Sequence, residues 1–261
     1  MEQIRKANGF LFDLDGVFYQ SGRALPGAVE TLAFLRENRL PFRFLTNTTI
    51  KNRKTLQHEL LNIGLDCKED EIISAGFSGV DFLRKMGSPS CSFYITEDLK
   101  RDYLEFDETI DQPDVVVIGD YDKWDFEILN IAFVQIMAGA QIIALHKGKY
   151  YKTDLGLRLD VGGLVAALEF STGQIAHIVG KPNKLFFQCA LDDLKLGSDD
   201  VVMIGDDLIN DVQGAQHLGI PGILVKTGKY HEGMVESSGI KPDAFIESIG
   251  DLPKIIERCK E

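Results

Sequence analysis

The chain has few cysteines for its length, four in 261 residues, and they lie far apart. Cys67, Cys91, Cys189 and Cys259 show no CxxC spacing, which argues against a zinc site or a disulfide framework and suits reduced thiols. The opening MEQIRKANGF has only a short FLF run before Asp13 and no cleavage-site pattern, so no export signal is expected and a cytoplasmic location is. Basic charge is also scarce. Lys+Arg number 28 against 40 Asp+Glu, a formal net charge of -12 and a pI near 4.9, so the mean field repels nucleic acid and anionic membrane surfaces. On that count an anionic substrate is disfavoured too. The one long uncharged stretch, Ile128 to Leu145, reaches the threshold for a membrane span. Asn130, Gln135 and Gln141 interrupt it and Gly139 falls where a helix could end, so a helix followed by a strand is the better reading. No internal repeat, low-complexity tract or Pro/Gly/Ser linker marks a boundary.

What remains is ordinary globular material, 44% hydrophobic and 26% charged. At roughly 150 residues per domain, its length suits one large domain or a main domain carrying a smaller one. Short β-rich runs alternate with helical patterns, as in a parallel sheet covered by helices. The strand candidates are GFLF before Asp13, PFRFL before Thr46, AHIV before Gly180, VVMI before Gly205 and GILV before Lys226. Ala28 to Asn38, Lys51 to Asn62, Leu185 to Leu196 and Asp211 to Leu218 carry apolar residues at helical spacing, with Pro182 an early helical residue and Gly197 a stop. The middle of the chain repeats the theme: SFYIT, VVVIG, a helix from about Trp124, IIAL, then Leu164 to Phe170. That predicts a second α/β layer at 79–175, inserted in a discontinuous domain of 1–78 plus 176–261.

In an open parallel sheet, residues just past the carboxyl ends of the strands line the binding crevice. Here those positions hold Asp13, Asp15, Thr46, Asn47, Asp206 and Asp207, and Lys181 follows AHIVG. Phe12-Asp13-Leu14-Asp15-Gly16 alone could be a solvated turn. Its company is what gives it meaning: DLDG, TN, GKP and GDDLIND each follow an apolar run or open a helix.

In that order, FDLDGV, LTNT, GKP and GDDLIND resemble the four motifs of the haloacid dehalogenase superfamily. The long insert between the second and third motifs resembles the subclass with a C2-type cap, and the likeness covers nearly the whole chain. The resemblance implies a Rossmann-like α/β core with an inserted α/β cap, and a phosphatase working through an aspartyl-phosphate. Asp13 matches the family nucleophile, a role a carboxylate can fill in phosphoryl transfer. Asp15 points the same way along a strand-like segment and would protonate the leaving oxygen, then activate water. Thr46 and Asn47 would bind the phosphoryl group and Lys181 add a point charge, beside a helix start that favours anions. Carboxylates this close repel one another, which calls for a divalent cation, and Mg²⁺ suits an all-oxygen site that shares a phosphate ligand. By resemblance Asp13 and Asp206 give side-chain oxygens and Asp15 its carbonyl, while Asp207 and Asp211 support from behind. The bland alternative for Asp211 is an acid complementing a helix dipole.

A cap excludes water and offers leaving-group contacts. Its candidates are His146, Lys147, Tyr150, Tyr151 and Lys152, a basic and aromatic cluster that could read a second anionic group or stack a ring, or could be a solvated hairpin. Small phosphomonoesters of sugars, nucleotides, pyridoxal or phosphoamino acids, or pyrophosphate, are the expected substrates. By resemblance a homodimer through the cap is also expected. The alternative is a phospho-accepting or ligand-binding regulator with negligible turnover. Dehalogenation has no need of Asp15. Five of the 40 acids, Asp13, Asp15, Asp206, Asp207 and Asp211, fall at the proposed site, where a dication and Lys181 would reverse the local balance.

Overall fold

The computed structural model describes residues 1–153 and 156–257, with the side chains of residues 152 and 153 outside that description. The chain forms two compact units, one of Met1–Thr46, Leu56–Ile73 and Lys181–Glu261, the other of Asn47–Thr55 and Ser74–Gly180.

The first unit is built on a six-stranded sheet in the order Ala244–Ile246, Gly222–Val225, Val201–Gly205, Gly9–Asp13, Phe42–Thr46, Ile72–Ser74. Gly9–Asp13 lies at its centre, parallel to Val201–Gly205 on one side, with Phe12 opposite Ile204, and to Phe42–Thr46 on the other, with Asp13 opposite Leu45. All five of its residues are buried, as a strand covered on both faces must be. The aromatic residues that make GFLF and PFRFL strand-like also bind the core together. Phe18 packs edge-on against Phe12 and Phe44, with centroids 5.1 and 5.0 Å away. Burial of Leu14, Val17 and Phe18 folds the segment after Asp13 back on itself, closed by Phe18 N–H to the Leu14 carbonyl at 2.9 Å. Gly16 completes that turn at φ 83°, a backbone region that glycine enters without cost.

The second unit has a parallel four-stranded sheet, His177–Ile178, Gln141–Ala144, Val115–Ile118, Cys91–Tyr94. Its strands are short apolar runs, and the Phe126–Met137 and Gly162–Thr172 helices pack Ala132, Ile136, Val165 and Leu168 into its core. The uncharged stretch resolves into that first helix, capped by Asp125 accepting from Ile128 N–H at 2.8 Å, and the strand Gln141–Ala144. Among the described residues no helix is long and apolar enough to cross a membrane. An antiparallel ribbon, Tyr150–Thr153 with Gly156–Leu159, follows.

Three local expectations are corrected. AHIV is not a strand of the large sheet. Only His177–Ile178 of it is extended, and it forms the edge of the smaller sheet beside Gln141–Ala144. Its apolar character is the same in either sheet, so sequence could not choose between them. Pro182 precedes the helix it was expected to open: the helix Lys184–Leu194 starts after Asn183, whose side chain accepts from Leu185 N–H at 3.0 Å. That helix ends at Lys195, in the left-handed region at φ 57°, before Gly197 is reached.

Candidate active site

Three neighbouring parallel strands of the large sheet deliver acids or a hydroxyl where they end. Gly9–Asp13 ends in Asp13, Phe42–Thr46 in Thr46, and Val201–Gly205 runs into Asp206 and Asp207. Asp13, Thr46 and Asp206 are all buried, in a crevice that the carboxyl ends of a parallel sheet create.

Lys181 ties Asp13 to a further acid, Asp211. Its Nζ donates to Asp13 Oδ1 at 2.6 Å, to Asp211 Oδ1 at 2.7 Å and to the Leu45 carbonyl at 3.1 Å. An ammonium has three N–H donors, and this one directs a donor to each of three protein oxygens. Burial works against its charge, but Asp13 and Asp211 outweigh that and hold its proton more tightly than an ordinary lysine's.

Asp211 is wholly buried. Its Oδ2 accepts from Asp207 N–H at 3.1 Å, and Gly205 admits it: a Cβ there would stand 2.3 Å from the Asp211 Cβ. Asp13, Asp206 and Asp211 can each bring one oxygen within 4.8 Å of the others. Burial, then the charges of its carboxylate neighbours, raise the proton affinity of Asp206. Asp211 is raised as well, by burial, although Lys181 pulls against it. The Asp206 Oδ2 accepts from Lys229 N–H at 2.7 Å, whereas the buried Oδ1 has no hydrogen-bond partner. An orphaned carboxylate oxygen between two other acids is what a dication would satisfy, so the residues fit one.

Asp207 is turned away from this cluster. Its carboxylate accepts from Ile209 N–H (3.0 Å), Asn210 N–H (2.9 Å) and the Asn210 side chain (2.9 Å), capping the helical turn Leu208–Gln213. Burial opposes its ionisation, but the Lys229 ammonium and the Asn210 donors hold it down to about 2. Asp15, past the strand end, is exposed, and its proton affinity is raised by partial burial and by the charge of Asp13.

Asn47 begins the second unit, where a Cβ on Gly180 would come within 2.9 Å of its Oδ1. Two residues on, the Thr49 hydroxyl donates to Asp120 Oδ2 at 2.5 Å and accepts from Asp120 N–H at 2.9 Å. His146 Nε2 lies 3.6 Å from that carboxylate and Nδ1 3.9 Å from Asp160. Thus His146 faces inward, and Lys147 is paired with Glu169, while Tyr150 and Tyr151 stand exposed on the ribbon. Among the described residues, the basic and aromatic cluster expected from sequence is divided, with His146 buried and Tyr150 and Tyr151 exposed. The Lys152 side chain lies outside the described residues.

Sequence reasoning passed over the segment Thr227-Gly228-Lys229. The Thr227 hydroxyl donates to the Gly16 carbonyl at 2.5 Å, the Lys229 N–H fixes Asp206, and Lys229 Nζ meets Asp207 Oδ2 at 2.9 Å. A signal existed, because KTGKY follows directly on GILV, and the rule that picked out the other strand ends applies there equally.

Comparison with known proteins gives a consistent picture. A haloacid dehalogenase-like hydrolase family model matches residues 10–107, and a second model of HAD-like hydrolases matches 178–252. Phospholysine phosphohistidine inorganic pyrophosphate phosphatase of Rattus norvegicus is 34% identical over 262 residues, covering 98% of this chain and 96% of that protein. Haloacid dehalogenase-like hydrolase domain-containing protein 2 of Mus musculus is 38% identical over 250 residues, covering 95% of each. The crystal structure of 4-nitrophenylphosphatase from Thermotoga maritima is similar at a TM-score of 0.92 and 29% identity, covering 97% of this chain and 99% of that one. A p-nitrophenyl phosphatase from Archaeoglobus fulgidus is similar at 0.91 and 27% identity, covering 96% and 99%.

Proposed function

The chain belongs to the haloacid dehalogenase-like hydrolases, and we propose that it is a divalent-cation-dependent phosphatase of small phosphate esters, with Asp13 as nucleophile. One observation carries this reading. A buried carboxylate at the end of the central strand is gripped by Lys181, beside a second carboxylate with an unpaired oxygen.

An Asp13 oxygen attacks phosphorus, forming an acyl phosphate as the bond from phosphorus to the leaving oxygen breaks. Asp15 gives its proton to that oxygen. Its raised proton affinity suits a group that must be protonated for this step. Water, deprotonated by Asp15, then attacks the same phosphorus, releasing phosphate and regenerating Asp13. Thr46 and Asn47 bind phosphoryl oxygens, and the hydrogen bond from Lys181 holds the Asp13 carboxylate in place. Mg²⁺, held by Asp13, Asp206 and the Asp15 carbonyl, with Asp211 behind and Asp207 capping the turn that carries Asp211, would screen the repulsion among acids and polarise a phosphoryl oxygen.

We take the second unit as a cap, inserted near 79–175 into a catalytic core of 1–78 and 176–261, that restricts access to small substrates. Exposed Ile131, Val134 and Met137 on the Phe126–Met137 helix support pairing of two copies through it, which sedimentation would measure. The net charge of -12 supports neither a nucleic acid nor a membrane partner.

Purified protein with Mg²⁺ should release phosphate from p-nitrophenyl phosphate and from members of a metabolite panel, and chelation should silence it until Mg²⁺ is restored. No turnover under these conditions, with a stable acyl phosphate on Asp13, would replace the phosphatase by a phospho-accepting regulator.

A further inference from the structure

Two lysines serve the acidic site, and they differ in what they have left to offer. Lys181 is only 4% exposed in its side chain and directs donors to Asp13, Asp211 and the Leu45 carbonyl. The Lys229 side chain is 64% exposed and has one short contact, to Asp207 Oδ2 at 2.9 Å, from an ammonium with three donors.

The backbone fixes where that second ammonium stands. A Cβ on Gly228 would lie 2.7 Å from the Gly16 Cα and 2.0 Å from Asp206 Oδ2, so the segment is seated directly on the residue after Asp15. The Thr227 hydroxyl to the Gly16 carbonyl and the Lys229 N–H to Asp206 pin it at both ends. Lys229 therefore flanks Asp15, and its positive charge is felt at Asp15, Asp13 and Asp206. Asp15 is the group that protonates the leaving oxygen, so a cation beside it lies on the leaving-group side of the scissile bond.

We propose that Lys229 is a specificity-determining residue that selects substrates whose leaving group carries a second anionic group, a carboxylate or a phosphate near the ester oxygen. In the free protein Asp207 occupies one of its donors. The other two can bind the substrate's distal anion while the phosphoryl group lies against Asp13. Lysine suits this as a compact point charge on a flexible stem, which adapts to anions of different shape. An ammonium placed to meet the distal anion binds it more tightly than an analogue that lacks the charged group, which gives a moderate preference for a side chain this exposed. The inference rests on the phosphatase reading and adds the chemistry of its leaving group.

The test is a matched pair, 3-phosphoglycerate against glycerol 3-phosphate, with p-nitrophenyl phosphate as the measure of general turnover, using the whole protein with Mg²⁺. The wild type should favour the carboxylate by about tenfold or more in kcat/KM. Lys229→Met should erase that preference chiefly by raising KM for 3-phosphoglycerate, with a smaller loss on the uncharged analogue, and Lys229→Arg should restore part of it. A merely structural lysine would lower both substrates alike. Thermal unfolding followed by circular dichroism checks that the variants are folded. If p-nitrophenyl phosphate is hydrolysed but the pair is not distinguished, or the preference survives in Lys229→Met, the selectivity role is overturned and the phosphatase stands. Absence of turnover on all three substrates defeats the phosphatase reading itself and this inference with it.

Discussion

Gly16 and Gly228 meet with no room for a side chain between them: a Cβ on Gly16 would stand 2.9 Å from the Gly228 Cα and 2.2 Å from Asp206 Oδ2. Two loops separated by more than two hundred residues of sequence thereby approach closely enough for both to touch one carboxylate. The positive φ angles, 83° at Gly16 and 61° at Gly228, independently favour residues without a Cβ.

Gly228→Ala tests this contact. The methyl group must displace the Asp206 carboxylate or the Gly16 backbone, in a conformation that already costs an alanine about 1 kcal/mol. Expected is a fall in divalent-cation affinity of roughly 10- to 100-fold, the usual effect of disturbing a partner behind a metal ligand. Titration with Mn²⁺ followed by electron paramagnetic resonance checks it, and unchanged affinity would mean that Asp206 is not a ligand.

Lys181→Met removes the cation between Asp13 and Asp211 and leaves both acids buried without it. Breaking a buried ion pair from one side costs about 3–5 kcal/mol. Urea denaturation should show a loss of that order, along with near-complete loss of turnover. A variant as stable as the parent would show that the carboxylates are held by other contacts.

Asp13→Asn keeps the shape of the side chain and should leave the melting temperature within a few degrees, since Lys181 retains Asp211. Turnover should fall at least about a thousandfold, because an amide cannot form the acyl phosphate. Acid quenching of the wild type during turnover of a ³²P-labelled substrate should trap label on the protein, and the variant should trap none.

Asp120 provides a pH test away from the acidic cluster. Burial opposes its ionisation, but the nearby His146 ring and the hydrogen bond from Thr49 outweigh that and hold the carboxyl below its ordinary value. A depressed carboxyl contributes stability above its unfolded pKa of about 3.9 and loses it as pH falls through the lower folded value. Thr49→Val should therefore cost about 1 kcal/mol near pH 7, with the gap to wild type narrowing below about pH 4. Urea midpoints at the two ends measure it, and a constant gap would assign the cost to packing alone.

The sequence by itself determined the class of fold and most of the acidic site, because both are written in short segments. Apolar runs such as GFLF, PFRFL and VVMI, which lead into Asp13, Thr46 and Gly205-Asp206, read as parallel strands, and strand ends are where such a sheet gathers its polar residues. Asp13, Thr46 and Asp206 were legible for that reason. Only the tertiary structure decided what these groups do to one another. That Lys181 joins Asp13 to Asp211 depends on three segments meeting, as does the orphaned oxygen of Asp206. Lys229 was equally out of view, since its importance comes from Gly228 closing on Gly16. His146 and Lys147 looked like surface cations until folding set one beside Asp120 and Asp160 and the other against Glu169. Local periodicity selects an element and the face it buries, whereas the partner of a charge is chosen by packing across the sheet, over distances along the chain that no local pattern encodes.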